Sequence, residues 1–180
     1  MIFSVTGPES SGKTTLCQSI HLSTNWLWIP EYSRSFLQTT RSGPTSEMIL
    51  RIASAQSQIE RLLCFQEHIT LCDTDAYTLA VWWMDKIGKP LPTVLTSWLE
   101  TARFRYQHVF LCQPDIPWEQ DPLREDANRR FEIMAIYQKL LNDRKIRYTT
   151  LNGQKEARLN KAIATINAIN AADSSRSLPS

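Results

Sequence analysis

Four short clusters in this chain carry side chains able to do chemistry: GPESSGKT at 7–14, PEYSR at 30–34, DTD at 73–75, and QPDIPWEQDPLREDANRR at 113–130. The first has the spacing G-x-x-x-x-G-K-[ST], with Gly7, Gly12, Lys13 and Thr14 in register. Glycine permits the backbone angles that turn consecutive N–H groups inward into an anion-binding nest. The loop then opens a helix whose N-terminus is partly positive. Lys13 can reach the β- and γ-phosphates, and the Thr14 hydroxyl can ligate Mg²⁺. The expectation is an ATP-type nucleotide on Gly7, Glu9, Ser10, Ser11, Gly12, Lys13, Thr14 and Thr15. The side chains of Glu9, Ser10 and Ser11 fill variable positions and read as solvated.

The other clusters supply carboxylates and arginines. Glu31 can accept a proton from a substrate hydroxyl or hold Mg²⁺ through water. Alternatively it is a helix-start acid paired with Arg34 at i+3. Asp73 closes the apolar run ITLCD, as does the acid that contacts nucleotide-bound Mg²⁺ in P-loop enzymes. Asp75 either shares that work or caps the helix beginning AYTLAVWW. Arg124, Arg129 and Arg130 follow a proline-rich stretch. Guanidinium groups match phosphate geometry, so this segment reads as a lid closing over a nucleotide, with Arg124 and Arg129 ahead of Arg130. Trp118 would pack the lid or stack on a ligand. Of the adjacent Trp82 and Trp83, at least one is expected in the core.

These clusters need elements to hold them. Short β-like runs at 2–6, 26–30, 69–73, 108–112 and 147–151 read as strands. Helical patterns fill 13–22, about 46–67, about 75–87, about 93–103, about 127–143 and about 154–169. On the second of these, Ile49, Ile52, Ile59, Leu62, Leu63 and Phe65 form one stripe. Such alternation predicts an α/β domain: a five-stranded parallel sheet with helices on both faces. Ligands of such sheets bind beyond the carboxyl ends of the strands, where all four clusters fall.

The composition, 42% hydrophobic and 21% charged, suits a single domain, placed at 1–170, with the small, polar 171–180 as a disordered tail. A net charge of +2 argues against nucleic-acid or membrane partners, which select concentrated basic patches. Cys17, Cys64, Cys72 and Cys112 form no C-x-x-C pair and sit in apolar runs, so they read as reduced core thiols. No apolar run has bilayer length, and IFSV begins a strand rather than a leader, so cytoplasm is the expected place. Nothing in the pattern sets an oligomeric state.

GPESSGKTTL, PEYSR, DTD and PDIPWEQDPLR, in that order, resemble the ribosylnicotinamide-kinase-like P-loop ATPases, the NadR-type kinase domain, from residue 2 to about 169. The resemblance implies a P-loop kinase fold. It also implies ATP- and Mg²⁺-dependent phosphorylation of the 5′-hydroxyl of nicotinamide riboside, without an adjoining adenylyltransferase domain. By that resemblance Glu31, Tyr32 and Arg34 bind substrate, with Asp75 beside the acceptor hydroxyl. Thr14 and Asp73 hold the metal, Arg124 and Arg129 lie over the phosphates, and Leu151–Gly153 lies near adenine. Pro30 stands where the family has an aromatic residue, and Pro122 where its lid has glycine. The other readings are a kinase for a different nucleoside or nucleotide, and an ATP-binding regulatory ATPase with no small acceptor.

Overall fold

A computed structural model describes residues 1–38, 44–63 and 68–176. Five strands, β1 (Ile2–Thr6), β2 (Leu27–Ile29), β3 (Thr70–Asp73), β4 (Tyr106–Cys112) and β5 (Tyr148–Leu151), form one parallel sheet in the order β2-β3-β1-β4-β5. Around it lie α1 (Lys13–Thr24), α2 (Tyr32–Leu37), α3 (Ser46–Leu63), α4 (Ala76–Trp82), α5 (Thr93–Arg105), α6 (Arg130–Asp143) and α7 (Lys155–Arg176). α4 continues as a π-helical turn over Trp83–Ile87.

The period-2 alternation of the strands sorts the core into two layers. Phe3, Val5, Leu71, Phe110, Cys112 and Leu151 join Leu16 and Ile20 of α1 and Ala162 and Ile166 of α7. On the opposite face, Cys72, Val109 and Leu111 pack with apolar residues of α3, α4, α5 and α6. Covering both faces explains why these strands read as nearly continuous apolar runs. Cys17, Cys72 and Cys112 are buried reduced thiols, whereas Cys64 lies outside the described residues. Burial pushes Cys112 up to about 11 and raises Cys17 well above the ordinary thiol value, which keeps both protonated at neutral pH.

Three segments depart from the pattern. The stripe on α3 is buried at Ile49 and Ile52, but the next inward positions are Gln56 and Glu60, both with no exposed surface. Leu62 and Leu63 are 71% and 43% exposed, and Phe65 lies outside the described residues. Hydrogen bonds make this burial tolerable: the Tyr106 hydroxyl lies 2.9 and 3.0 Å from the two Glu60 carboxylate oxygens. α2 is a short helix beyond the strand-ending Pro30. α7 runs on to Arg176, through residues assigned by composition to the tail. Its stem is anchored by Ala162 and Ile166, and Ala171 and Ala172 propagate a helix at little cost.

Candidate active site

β1 is the central strand, so the loop after it is bordered by the ends of β3 and β4. Gly7 has φ +137°, and a Cβ there would sit 2.6 Å from the Cys112 carbonyl oxygen on the adjoining strand. Gly12 has φ +81° and forms the N-cap of α1. Both positions demand glycine. The Lys13 ammonium donates to the carbonyls of Gly7 (2.9 Å) and Pro8 (2.8 Å), folding over the loop it serves.

Asp73 ends β3 on the α1 side and is wholly buried. Neither carboxylate oxygen meets a donor in full hydrogen-bonding geometry. Burial raises its pKa to about 6, Glu31 adds to the rise, and the Thr14 hydroxyl and the charges of Lys13 and Arg34 oppose it. Thr14, Lys13, Glu31 and Asp73 therefore share one electrostatic neighbourhood, assembled from the ends of three strands.

Asp75 points elsewhere. On a continuing strand, residues 73 and 75 would share a face. Thr74, with φ +75°, breaks the alternation, in a conformation costly for a β-branched residue. Asp75 is consequently the N-cap of α4, accepting from Thr78 N–H at 2.8 Å, from the Thr6 hydroxyl at 3.2 Å and from the Ser4 hydroxyl. It is fully buried beneath the cleft, and no part of it lines the wall. This corrects its expected place at the acceptor hydroxyl.

The cleft runs from the loop to a wall made by Glu31, Arg34, Leu37, Trp82, Leu123 and Tyr137. Glu31 accepts from the Ser33 hydroxyl. Arg34 reaches across to Asp121 at 2.8 Å instead of pairing with Glu31. Tyr32 is absent from the wall: its ring packs on Phe36, with centroids 6.0 Å apart, and its N–H donates to the Gln56 side chain at 3.1 Å. Trp83 is the buried tryptophan of its pair, while Trp82 lines the cleft.

The segment 113–129 folds back over the loop. Arg124 donates to the Glu119 carbonyl (2.6 Å) and lies 3.4 Å from the Ser10 hydroxyl. Arg129 does not join it. Its guanidinium pairs with Asp85 at 2.5 Å, Asp126 at 3.1 Å and Glu132 at 3.3 Å, outside the cleft. Arg130, likewise absent from the cleft lining, lies against the loop, donating to the carbonyls of Ser10 (3.2 Å) and Ile116 (3.0 Å), 5.6 Å from the Trp118 ring centroid. The cause is the start of α6 at Arg130. One residue at a helix N-terminus turns the side chain by about 100°, so adjacent arginines cannot both reach the loop.

Glu9 and Ser10 are not solvated loop side chains. Glu9 accepts from the N–H groups of Glu125 (2.9 Å) and Asp126 (3.4 Å), and Ser10 accepts from Glu119 N–H (3.0 Å). Burial raises the Glu9 pKa against those backbone donors. The loop thus latches the segment above it. Glu9→Ala is expected to speed amide exchange at Glu125 and Asp126 by roughly 5- to 10-fold, as loss of one charged hydrogen-bond acceptor implies. Hydrogen exchange read by mass spectrometry checks this, and unchanged protection would show the latch to be idle.

Four residues of the site escaped sequence reasoning. Lys86 and Asp85, on the π turn, face the lid; Lys86 lies 2.6 Å from Asp126. Gln56 bridges two strand ends, from Tyr32 N–H to the Thr74 carbonyl (3.5 Å). A glutamine in an apolar stripe was its only local sign. Arg158 carried none.

A glycine-rich loop after a central strand, an acid closing the neighbouring strand and an arginine-bearing segment folded over the loop define a P-loop nucleotide-binding protein. The chain belongs to the AAA-domain family, whose model matches residues 2–158. Its fold is that of the P-loop kinases. The NadR protein, solved with NAD and AMP-PNP and with NR, superposes at a TM-score of 0.69, with 21% identity over 93% of this chain. The chain spans about half the length of NadR, 49% of which is covered. Deoxyadenosine kinase from M. mycoides superposes at 0.64, with 8% identity over 93% of this chain and 100% of the kinase. The YorR protein from Bacillus subtilis, solved in complex with phosphorylated GDP, superposes at 0.61, with 10% identity over 93% of this chain and 96% of YorR. No curated protein sequence matches the chain. Among the described residues, no helix is long and apolar enough to cross a membrane.

Proposed function

We propose that the protein is an ATP-dependent kinase for a small nucleoside-like acceptor, with the 5′-hydroxyl of nicotinamide riboside as the first candidate. One observation carries this reading. The cleft does not stop at the phosphate loop but continues into a concave wall of Glu31, Arg34, Leu37, Trp82, Leu123 and Tyr137. That is room for a second, ring-bearing substrate, which a regulatory ATPase has no use for.

In this reading Lys13 and the backbone of residues 7–15 hold the triphosphate. Glu31 orients the acceptor hydroxyl and takes its proton, the role first divided between Glu31 and Asp75. Arg124, which lines the cleft, closes over the phosphates and excludes water. Asp73 and Thr14 fit Mg²⁺: two buried carboxylate oxygens without a donor stand beside a hydroxyl, all hard oxygen ligands. Among the described residues, no three His, Cys, Asp or Glu side chains converge to hold an ion by themselves. A cation held by Asp73 and Thr14 would neutralise charge on the transferring group. Residues 1–170 act as one catalytic unit. Reduced buried thiols fit a cytoplasmic place.

A second reading is a deoxynucleoside kinase: the superposed deoxyadenosine kinase shares this fold across its whole length. ADP release with Mg-ATP separates the two, measured across nicotinamide riboside and the purine and pyrimidine nucleosides and deoxynucleosides. Stimulation by nicotinamide riboside above all others is expected. Preference for a deoxynucleoside would replace the first acceptor by the second, and stimulation by none would sink the kinase reading.

A further inference from the structure

Arg158, in the first turn of α7, lies 147 residues from Ser11 in sequence and against it in space. Its side chain is nearly sealed from solvent, with the residue 3% exposed. Nη1 donates to the Ser11 carbonyl at 2.6 Å, Nε to the Gly153 carbonyl at 2.8 Å, and Nη2 to the Gln113 carbonyl at 2.9 Å and to the Asp115 carboxylate. The other Asp115 oxygen accepts from Gly153 N–H at 2.6 Å. A Cβ built on Gly12 would lie 3.6 Å from Nη1. One guanidinium thus joins the loops that leave β1, β4 and β5.

The Ser11 contact has a consequence for the anion nest. In a trans peptide the C=O and the following N–H point in opposite directions across one plane. A donor fixed to the outer side of Ser11 C=O therefore turns Gly12 N–H toward the inside of the loop, where phosphate oxygens would lie. The cation itself sits directly behind Gly12, adding positive potential at the N-terminus of α1. Burying an arginine for packing alone is unfavourable, because its desolvation is repaid only when its donors are matched. Here every donor direction used ends on a backbone carbonyl or on Asp115.

We propose that Arg158 is a positioning residue of the nucleotide site, holding the Ser11–Gly12 peptide in its phosphate-binding orientation from behind. The proposal rests on the reading of residues 7–15 as a nucleotide site. A residue that only stabilised the fold would lower stability without singling out the nucleotide. A positioning residue changes nucleotide affinity and leaves acceptor affinity alone.

The test is equilibrium titration of the full chain with fluorescent ADP and Mg²⁺, for the wild type, Arg158→Lys, Arg158→Met and Arg158→Gly. Expected are nucleotide binding by the wild type, a 10- to 100-fold weaker Kd for Arg158→Met, and an intermediate loss for Arg158→Lys, which cannot serve three segments at once. Millimolar guanidinium should recover part of the affinity of Arg158→Gly and none of that of Arg158→Met, whose side chain fills the space. In turnover, KM for ATP should rise while KM for the acceptor stays within about twofold. A folded Arg158→Met or Arg158→Lys variant that binds ADP as tightly as the wild type overturns the proposal. Failure of the wild type to bind any nucleotide instead overturns the reading of the loop. Should Arg158→Met unfold, Arg158→Lys with an unchanged urea midpoint and wild-type Kd would overturn it equally.

Discussion

Lys13→Ala is expected to lower Mg-ATP turnover by about 10²- to 10³-fold, the range found when one preorganised charge-stabilising donor is removed from a water-poor site. Of the two carbonyls that Lys13 now reaches, that of Pro8 keeps the Ser11 hydroxyl as a donor when the lysine is removed, and that of the buried Gly7 loses its lysine partner. The fold should therefore lose about 1–3 kcal/mol, the cost of one unmatched buried acceptor. Coupled ADP-release kinetics with the best acceptor, alongside a urea unfolding midpoint, separate the two effects. Turnover within a few-fold of the wild type would place the γ-phosphate elsewhere. A matching collapse of stability would mean that the lysine is structural.

Asp73→Asn should move stability and activity in opposite directions. An acid raised to about 6 from an ordinary value of 3.8 is harder to ionise folded than unfolded. Its native state holds the proton more tightly, so the stability cost is present above about pH 6 and fades as the pH falls toward 4. At about 1.4 kcal/mol per unit, that cost at neutral pH is roughly 3 kcal/mol. Asparagine keeps the shape and carries no charge. In EDTA at pH 7.5 the variant should be more stable than the wild type by about 1–3 kcal/mol, and the gain should vanish near pH 4. Its Mg²⁺-dependent turnover should fall by at least about 100-fold, because the hard anionic oxygen is gone. Such opposition is common where a site keeps a destabilising group for its function. Urea titrations at the two pH values and a Mg²⁺ dependence of rate decide the matter. A variant no more stable than the wild type at pH 7.5, or one retaining metal-dependent turnover, would refute this account of Asp73.

The two experiments probe different links of one chain of cause. Lys13 acts through a local loop, whereas Asp73 acts through the placement of β3 beside β1, which brings a buried carboxylate to the hydroxyl of Thr14. Glu31, at the end of β2, reaches the same neighbourhood only because β3 lies between β2 and β1 and the three ends are level.

What the sequence by itself determined was the local part of this protein. The phosphate loop is contiguous, and its glycines answer to backbone angles and to the close passage of Cys112, so its pattern survives in eight letters. Most of the strands were legible for a similar reason: burial on both faces leaves β1, β3 and most of β4 as short apolar runs between turn residues. Only the tertiary structure decided which side chains meet beyond those strands. The left-handed turn at Thr74 sends Asp75 under α4 and leaves Asp73 alone facing Thr14. The start of α6 at Arg130 turns that arginine to the Ser10 carbonyl and leaves Arg129 to Asp85. Gln56 and Arg158 act across contacts far apart in sequence, and no local pattern encodes such a contact. The physical reason is the same in each case. Propensity and periodicity act over a few residues, whereas the direction of a side chain at a strand end is set by what packs against it from the rest of the chain.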